Sequence, residues 1–428
     1  MSTTNIWPIV RLWTLASDEK GAIAGGPFGS DLVSRDYVDF GVPVIRGVNL
    51  PSHSKFSFRD LVFVTEAKAD ALQLNCASPD DLVFTQRGTL GQVGLVPRGP
   101  YLRFVVSQSQ MKMTVDRRRA DPIFLYHYFR LPSTVTYIEN HALQSGVPHI
   151  NLGILKNLEV ISPAVEVQRK IAAILSAYDD LIENNRRRIV LLEKMAEEIY
   201  REWFVRMRFP GHERAKFVKG VPEDWAVKPF SELVHINPNE RLVKSECHPY
   251  VGMEDLSLSS MYFESKERRH GASGSKFRNG DTLFPRITPS LENGKRGFVM
   301  TLEDGQVGFG STEFIVFREK QLSAEHVYLL SCSPDFRKNA ELSMTGASGR
   351  QRVSNDCFTF FLVATPPPDI RKQFSKMVRP VFDQVRVLAR QTAQCARARN
   401  ALLPRLISGK LPVDHLDIHF PPSMQDAG

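Results

Sequence analysis

The chain contains 428 residues, of which 55 are Lys or Arg and 47 are Asp or Glu, so its formal net charge is +8. This length allows roughly two to four domains, and the ordinary share of hydrophobic and charged residues excludes a disordered or fibrous chain. The five cysteines lie far apart without a C-x-x-C pair, which predicts no disulfide framework, no zinc site and a reducing compartment. The start has no signal-peptide pattern, and no apolar run is long enough for a membrane span. We therefore expect a soluble, cytoplasmic, multidomain protein that does not contact a membrane.

Both halves of the chain predict a mixed α/β domain with short strands. Apolar runs bounded by Gly, Pro and Asp indicate strands, and in the first half they lie at residues 42–45, 61–64, 82–84, 94–96 and 110–113. A short helix is predicted at residues 123–130. The second half has the corresponding signals, with strands at 282–284, 297–300, 314–317 and 358–363 and a helix at 325–332.

The two halves also resemble each other in the order of their motifs, which indicates an internal repeat. The motif SGVPHIN at residues 145–151 corresponds to SGRQRVS at 348–354, and ISPAVE at 161–166 corresponds to ATPPPD at 364–369, both 203 residues further on. Residues 81–84 resemble 281–284, and Trp7 resembles Trp225. Each match is short, so it is their common order that supports a duplicated module.

Each half ends in a long helix with a heptad pattern. Its alternating three- and four-residue steps are those of a coiled-coil seam, and about forty such residues form a rod of roughly 60 Å. Because both helices share one heptad phase, we favour an antiparallel pair over two helices that pack separately. Pro380 and Pro404 are expected to kink or split the second helix, and Asn185 to set the register of the seam. The seam positions are Ile171, Tyr178, Asn185, Leu192 and Ile199 with Leu175, Ile182, Ile189, Ala196 and Trp203 in the first helix, and Phe374, Val381, Leu388, Cys395 and Leu402 with Val378, Val385, Thr392, Arg399 and Leu406 in the second.

The first helix carries more apolar surface than one seam can bury. Ile174, Leu181 and Met195 form a further stripe, and Val190 and Leu191 lie on another face. A contiguous exposed apolar stripe usually marks an interface. We therefore expect these residues to bind helices of another polypeptide, unless the globular domains cover them.

Motifs for covalent chemistry are absent from the sequence. There is no G-x-x-x-x-G-K-[ST] phosphate loop, no H-E-x-x-H metal motif and no Asn-Pro-Pro-aromatic run of the kind expected in an adenine methyltransferase. The eleven histidines are scattered. We predict a chain without catalytic residues, bound metal or cofactor.

Basic and amide side chains follow the predicted strands in both halves. Arg pairs bidentately with guanine O6 and N7, and Asn or Gln with adenine N6 and N7, so such residues can read base edges. Any one of them is more simply a solvated loop residue, but their recurrence at corresponding places favours double-stranded DNA as the ligand. In this comparison Arg286 corresponds to the Gln86–Arg87 pair, and Arg352 to His149. The candidate DNA-binding residues are Arg46, Asn49, Gln86, Arg87, Gln92, His149 and Asn151 in the first half and Arg286, Asn293, Lys295, Arg296, Arg350 and Arg352 in the second.

An ordered set of motifs spans nearly the whole chain: GGPFGS at 25–30, GVPVIRGVNL at 41–50, QRKIAAIL at 168–175, DDLIENN at 179–185, FPGH at 209–212, VPEDW at 221–225 and LLPRLISGKL at 402–411. In this set the chain resembles the specificity subunit of type I restriction–modification enzymes. One departure is YVGMEDL at residues 250–256, which stands where 45–50 would be and places Glu254 at the position of Asn49.

The resemblance implies a fold of the α/β (α+β) class with a pseudo-twofold internal repeat, in which two similar target-recognition domains are joined by two long antiparallel coiled-coil helices. The implied divisions are a first domain at residues 1–165, a central helix at 166–208, a linker and second domain at 209–368, a distal helix at 369–411 and a tail at 412–428. Each domain would read one half of a bipartite, asymmetric target.

The resemblance also implies partners. Two methyltransferase subunits and two ATP-driven restriction (translocase) subunits would assemble on the chain, and S-adenosylmethionine, ATP and Mg²⁺ would belong to those subunits. The alternative that the sequence leaves open is a stand-alone structural or regulatory protein that binds double-stranded DNA without enzyme partners.

Overall fold

The computed structural model describes residues 7–52, 54–143, 147–265, 267–271, 273–346 and 351–424. By its internal contacts the chain divides into two units. Unit 1 comprises Met1–Glu183 with Gln394–Gly428, and unit 2 comprises Asn184–Ala393. Each unit has its own sheets, short helices and hydrophobic core.

Unit 1 is built on short strands that are mostly buried on both faces. Its strands are β1 (Ile9–Arg11), β2 (Ile23–Gly25), β3 (Val42–Ile45), β4 (Val62–Val64), β5 (Cys76–Ala77), β6 (Leu82–Thr85), β7 (Val93–Leu95), β8 (Phe104–Val106), β9 (Gln110–Met113) and β10 (Glu159–Ile161). One sheet has the order β2-β9-β6-β7 and another the order β4-β3-β8-β5, while β1 pairs with β10. The short helices are α1 (Glu66–Ala71), α2 (Pro122–Phe129), α3 (Pro132–Asn140) and α4 (Leu152–Asn157).

The helix α2 begins where it does because Asp121 caps it. The Asp121 carboxylate accepts hydrogen bonds from the backbone N–H groups of Ile123 and Phe124 at 3.0 and 2.9 Å, and Pro122 occupies the first turn, where no N–H partner is needed. Every residue of α2 is buried. This helix therefore forms the centre of the unit 1 core.

The long helix α5 (Val165–Tyr200) follows β10 and continues into a π-helical turn at Arg201–Val205. Its residues from Asn184 onward belong to unit 2. The remaining helices of unit 2 are α6 (Phe230–Leu233), α7 (Ala324–Ser331), α8 (Pro334–Leu342), α9 (Cys357–Phe360) and the long helix α10 (Pro368–Ile407), whose residues from Gln394 onward belong to unit 1.

Unit 2 repeats the strand order of unit 1. Its strands are β11 (Phe217–Val218), β12 (Val221–Pro222), β13 (Ala226–Pro229), β14 (Val234–Ile236), β15 (Cys247–Val251), β16 (Glu267–His270), β17 (Ser275–Phe277), β18 (Thr282–Pro285), β19 (Gly297–Phe298), β20 (Gly308–Gly310), β21 (Phe314–Glu319) and β22 (Leu362–Thr365). The orders β14-β21-β18-β19 and β16-β15-β20-β17 and the pair β13-β22 match those of unit 1 strand for strand. The internal repeat predicted from the sequence is thereby confirmed.

Close packing around one glycine in each unit gives the register of the repeat. A Cβ atom added to Gly94 would lie 2.4 Å from Cδ2 of Leu50, and one added to Gly297 would lie 2.8 Å from Cδ2 of Leu256. Because neither position has room for a side chain, Leu50 and Leu256 pack in the same way over β7 and β19. The loops that follow β3 and β15 can therefore be matched residue by residue.

The heptad positions predicted from the sequence face the cores. In unit 1, Ile171 and Leu175 of α5 share a buried cluster with Leu403 and Leu406 of α10. Further along α5, Asp179 accepts a hydrogen bond from Arg399. Since residue numbers rise along α5 as they fall along α10, the two segments are antiparallel.

The same arrangement holds inside unit 2, at the other ends of the two helices. The ring of Trp203 lies 5.6 Å from that of Phe374, centroid to centroid, and both are buried with Ile189 and Val385 in one cluster. The fold class predicted from the sequence is confirmed in these paired helices and in the mixed sheets.

Two details of the sequence prediction need correction. The helix α10 is continuous from Pro368 to Ile407, so Pro380 and Pro404 do not split it. The predicted strand at 358–363 is wrong in its first part, because Cys357–Phe360 is the helix α9 and the strand β22 begins only at Leu362. Phe358 is fully buried among other rings, and a run of apolar residues that is buried in a helix has no period to distinguish it from a strand.

Candidate nucleic-acid interface

In unit 1, three chain segments at the ends of strands line one surface. The loop after β3, the loop after β6 and the turn before β9 border two hollows of about 480 and 470 Å³. The hollows share Arg46, Gly47, Ser109 and Gln110 in their linings. The structure therefore brings together loops that are far apart in the sequence.

Three of the predicted DNA-binding side chains lie on this surface. Arg46 is anchored by a hydrogen bond from Nη2 to the carbonyl of Asp60, and Oε1 of Gln92 accepts a hydrogen bond from the Thr85 hydroxyl at 3.1 Å. Arg87 is exposed, and within the described part of the chain its guanidinium has no ion-pair partner. A cationic side chain in this situation is available to a phosphate or to a base edge.

Backbone hydrogen bonds hold the chain that follows β6. The N–H of Gln86 donates to the carbonyl of Ser109 at 2.8 Å, and the N–H of Ile150 donates to the carbonyl of Gln86 at 3.0 Å. An antiparallel bridge places His149 opposite Arg87. The structure thus adds His149 to the surface, while the Gln86 side chain is half-buried.

Two predicted DNA-binding residues of unit 1 have internal roles instead. Asn49 is completely buried: its Oδ1 accepts from the N–H of Arg46 at 2.9 Å, and its Nδ2 donates to the carbonyls of Ser57 and Arg59, both at 2.9 Å. Asn151 caps α4, since its Oδ1 accepts from the N–H of Ile154 at 2.9 Å. These amides already hold the loops, so we leave both residues out of the candidate surface.

In unit 2 the hydrogen-bond pattern after β18 matches that after β6. The N–H of Arg286 donates to the carbonyl of Glu313 at 2.9 Å, and the N–H of Val353 donates to the carbonyl of Arg286 at 2.8 Å. The sequence matched Arg286 to Gln86 and Arg87 together. In the structure Arg286 corresponds to Gln86, and Ile287 occupies the position of Arg87. The Arg286 side chain is half-buried, with Nη2 donating to the carbonyl of Val353 at 2.9 Å.

The loop after β15 departs from the sequence alignment by one residue. The Asp255 carboxylate accepts from the N–H of Gly252 at 2.8 Å, as Asn49 does from Arg46. Asp255, not Glu254, therefore corresponds to Asn49, and this part of the prediction was wrong. Glu254 takes the position of the exposed Val48, and Gly252 replaces Arg46, so the Arg46 side chain has no counterpart in this loop of unit 2.

The side chains of the adjacent residues Lys295 and Arg296 lie on different sides of the sheet that contains β19. Gly297 pairs with Leu283 as Gly94 pairs with Val83, so Lys295 corresponds to Gln92 and Arg296 to the buried Val93. Successive side chains of a strand point to opposite faces. Lys295, whose Nζ donates to the carbonyl of Met253 at 3.0 Å, is therefore on the candidate surface side and Arg296 is not.

Arg296 lies instead in a hollow of about 180 Å³ beside α5. Its Nη2 is 3.8 Å from Oε1 of Glu197. In the same hollow, Oε1 of Glu193 accepts from the Ser260 hydroxyl at 2.7 Å and from the N–H of Met261 at 2.9 Å. Burial raises the pKa of Glu193 to about 7, although these hydrogen bonds oppose the change. The prediction that Arg296 faces DNA is not supported by this position.

Arg352 forms a bidentate ion pair that the sequence analysis did not foresee. Its Nε lies 3.0 Å from both carboxylate oxygens of Glu313, and its Nη2 lies 2.7 Å from Oε1. Bridges from Arg352 to Ile287 and Thr345 match those of His149 in unit 1, which agrees with the predicted correspondence. Asn293 is exposed, and Arg350 lies outside the described residues.

The residues proposed to bind a partner divide into two groups. Ile174 packs against the core of unit 1, so its own domain covers it. Leu181 in unit 1 and Val190, Leu191 and Met195 in unit 2 have between 42% and 65% of their surface exposed. The expectation of exposed apolar residues on α5 thus holds for these four, and what binds them remains a prediction.

Neither metal ligands nor membrane spans are found among the described residues. No group of three or more His, Cys, Asp or Glu side chains there is arranged to hold a metal ion, and no helix combines the length and apolarity that a bilayer requires. The five cysteines are unpaired.

Comparisons with known proteins agree on one family. Residues 66–194 match the family described as "Type I restriction modification DNA specificity domain". The MjaIX specificity subunit of a type I restriction enzyme from Methanocaldococcus jannaschii is 22% identical over 96% of this chain and 96% of its own length. The EcoAI specificity subunit of Escherichia coli is 31% identical, over 41% of this chain and 30% of its own length. The crystal structure of the S subunit of a type I restriction-modification system from M. genitalium has the same fold, with a TM-score of 0.58 and 16% identity over 94% of this chain and 97% of that one.

The matched relatives are specificity components of restriction–modification systems, and the match to one of them extends over almost the entire chain. Over nearly its whole length this chain is therefore similar to a protein named as a specificity subunit of a type I restriction enzyme, as its motifs indicated.

Proposed function

We propose that the chain is the subunit that reads the DNA target of a type I restriction–modification complex, with each unit reading a different part of a bipartite, asymmetric sequence. The observation that carries this proposal is that the loops after β3 and β6 and before β7 in unit 1 recur after β15 and β18 and before β19 in unit 2. We call this repeated set of loops the loop frame. Unit 1 presents Arg46, Arg87 and Gln92 on the frame, whereas unit 2 presents Gly252, Ile287 and Lys295 at the matching positions. Since base readout depends on the side chains offered to the groove, two copies of one frame with different residues read different bases.

The role is recognition of DNA within an enzyme complex, without catalysis by this chain. The relative that matches over 96% of this chain is named as a specificity subunit. We propose two methyltransferase and two restriction subunits as partners in the cytoplasm. S-adenosylmethionine, ATP and Mg²⁺ would act in those partners, not in this chain.

For contact with the methyltransferase subunits we propose the exposed apolar residues of α5. Leu191 and Met195 are separated by four residues and so lie on one face of the helix. Exposed Leu and Met side chains on a rigid helix are typical of helix-to-helix association. We exclude Ile174 from this surface because it is already covered within unit 1.

The experiment that tests the proposal is a map of methylated bases in the host genome with the gene intact and deleted. We expect one bipartite, asymmetric sequence to be methylated only when the chain is present. An unchanged map, together with recovery of the tagged chain without any methyltransferase, would support the stand-alone DNA-binding alternative instead.

A further inference from the structure

The ion pair between Arg352 and Glu313 is a feature of the unit 2 surface that unit 1 lacks. In unit 1 the matching positions are His149 and Ser109, because the N–H of Gln86 bonds to the carbonyl of Ser109 as that of Arg286 bonds to Glu313. The Arg352 side chain is 51% exposed and that of Glu313 is 21% exposed. The pair therefore stands at the surface, with the carboxylate beneath the guanidinium.

The geometry leaves one edge of the guanidinium available. Glu313 occupies Nε and one N–H of Nη2. The end-on edge, formed by Nη1 and the second N–H of Nη2, has no partner within the described residues. Two parallel N–H groups in this arrangement match O6 and N7 of a guanine in the major groove.

Both residues are fixed through their backbones. Arg352 exchanges hydrogen bonds with Thr345 at 2.9 and 3.1 Å, and the Glu313 carbonyl accepts from Arg286 at 2.9 Å. An arginine whose plane is already set loses less side-chain entropy when it binds than a mobile one. The hydrogen bond from Arg352 also holds the pKa of the Glu313 carboxyl below its usual range, so the pair stays ionised at neutral pH.

Stability is a weak explanation for this pair. An exposed ion pair contributes about 0–1 kcal/mol, and a carboxylate on a surface that faces DNA repels phosphates. Orientation of the arginine is a benefit that offsets that repulsion.

We propose that Arg352 is a specificity-determining residue of unit 2, which reads a guanine through its end-on edge, and that Glu313 is the positioning residue that holds it. This inference rests on the proposed function, since it concerns the DNA sequence that the subunit reads.

The test is selection from a random double-stranded DNA library by the full-length chain, purified with the proteins that bind it. With Arg352→Ala we expect the preference for guanine to vanish at one position and the affinity for the wild-type site to fall roughly 5- to 150-fold, the range of a lost bidentate contact. Arg352→Lys, which keeps the charge but not the fork, should lose the same preference while retaining its affinity for DNA of unrelated sequence.

Glu313→Gln separates positioning from a structural role. It removes a negative charge, so affinity for unrelated DNA should stay equal or rise, whereas discrimination at the Arg352 position should fall about tenfold. Glu267→Gln is the matched control, because Glu267 pairs with Arg269 at 2.6 Å elsewhere in unit 2. The control should change no base preference.

The outcomes distinguish this inference from the proposed function. If the wild-type chain selects no sequence, the proposed function fails. If it selects a sequence and Arg352→Ala selects the same one, or weakens binding equally on all DNA, the reading role of Arg352 is wrong. If Glu313→Gln keeps full discrimination, or loses preference at a second position, Glu313 does not act by positioning Arg352.

Discussion

Residues on the candidate surface and in the loops beneath it divide into those that hold the loops and those that face solvent. Asn49 and Asp255 belong to the first kind, because each accepts a hydrogen bond from the loop backbone in its own unit. Arg87 belongs to the second kind, because it is exposed and its backbone alone is tied to the frame. The two kinds should respond differently to mutation.

Replacing Arg87 should change sequence preference without affecting folding. For Arg87→Ala we expect one position of the unit 1 half-site to lose its preference, at a cost of about 1–3 kcal/mol in binding if the contact is a bidentate one to guanine. Selection from a random duplex library measures the preference, and thermal unfolding checks the fold. A loss of affinity that is equal for all sequences would make Arg87 a phosphate contact.

Replacing Asn49 should instead lower the stability of unit 1. Asn49→Ala leaves the partly buried carbonyls of Ser57 and Arg59 without this donor, which should lower the free energy of unfolding of unit 1 by about 1–3 kcal/mol. Asn49→Asp should also destabilise, since a carboxylate cannot donate to those carbonyls. Denaturant unfolding of the full chain measures both changes, and stability equal to wild type would contradict the bracing role.

The sequence predicted which side chains lie on the candidate surface better than it predicted which ones hold the loops. Arg87 and Gln92 could be found because they follow a buried strand and a glycine turn. Asn49, Asn151 and Arg296 were misread, because residue type and spacing do not say whether a side chain turns outward or bonds to its own loop. Glu313 was missed because a lone acid before a strand has no signal until its partner, 39 positions away, is placed beside it.

At the scale of elements, the heptad pattern was the most reliable guide. It placed the buried faces of α5 and α10 correctly because the period persists over many turns, whereas short buried strands have no period to read. The stretch at 358–363 shows this limit. The same pattern could not indicate that Glu193, which lies outside the heptad positions, is buried against the loop at Ser260 and Met261.

Glu193 should make the stability of unit 2 depend on pH. Its pKa in the folded chain is about 7, above the ordinary 4.5, so the folded state holds a proton that the unfolded state releases earlier. The free energy of unfolding should therefore fall as the pH rises from about 4.5 to 7, by up to about 3 kcal/mol. Glu193→Gln removes this dependence while keeping the acceptor oxygen for Ser260.

The measurement is urea unfolding of wild type and Glu193→Gln at pH 5 and pH 7.5. Taking the difference between the two proteins cancels the contribution of titrating groups that do not interact with Glu193. Wild type should lose stability relative to the variant on going to pH 7.5. A constant difference would show that Glu193 ionises at an ordinary pKa.

Two apolar residues of α5, the exposed Leu191 and the covered Ile174, allow a matched comparison of lysine substitutions. Leu191→Lys should leave the thermal unfolding temperature close to wild type, since the side chain is 65% exposed, and should reduce recovery of the methyltransferase with the tagged chain. Ile174→Lys should destabilise unit 1, because Ile174 packs on its core. Undiminished recovery with Leu191→Lys would remove this face from the proposed interface.

For the whole molecule, the prediction concerns division of the target between units. Replacing residues 1–165 with the counterpart of another specificity subunit should change one half of the methylated sequence and leave the other half as it was. The genomic methylation map of a strain carrying the exchanged gene measures this. A change in both halves, or in neither, would contradict independent reading.

The repeat, the fold class and the resemblance to specificity subunits could all be predicted from the sequence, because each depends on the order of many weak signals over the whole chain. The residue-by-residue match between units could not. It depends on strand pairing and on the packing of Leu50 and Leu256. The sequence alignment was one residue out in this loop, so it matched Glu254 to Asn49, whereas the structure matches Asp255 to Asn49.

Because some residues hold the loops and others face solvent, the arrangement has an evolutionary consequence. Asn49 and Asp255 support their loops by accepting hydrogen bonds from the loop backbone, and the exposed side chain of Arg87 takes no part in that support. A new residue at position 87 should therefore cost the loop little stability. Such a scaffold would let a lineage change the bases that it prefers by single substitutions at exposed loop positions while it keeps its fold.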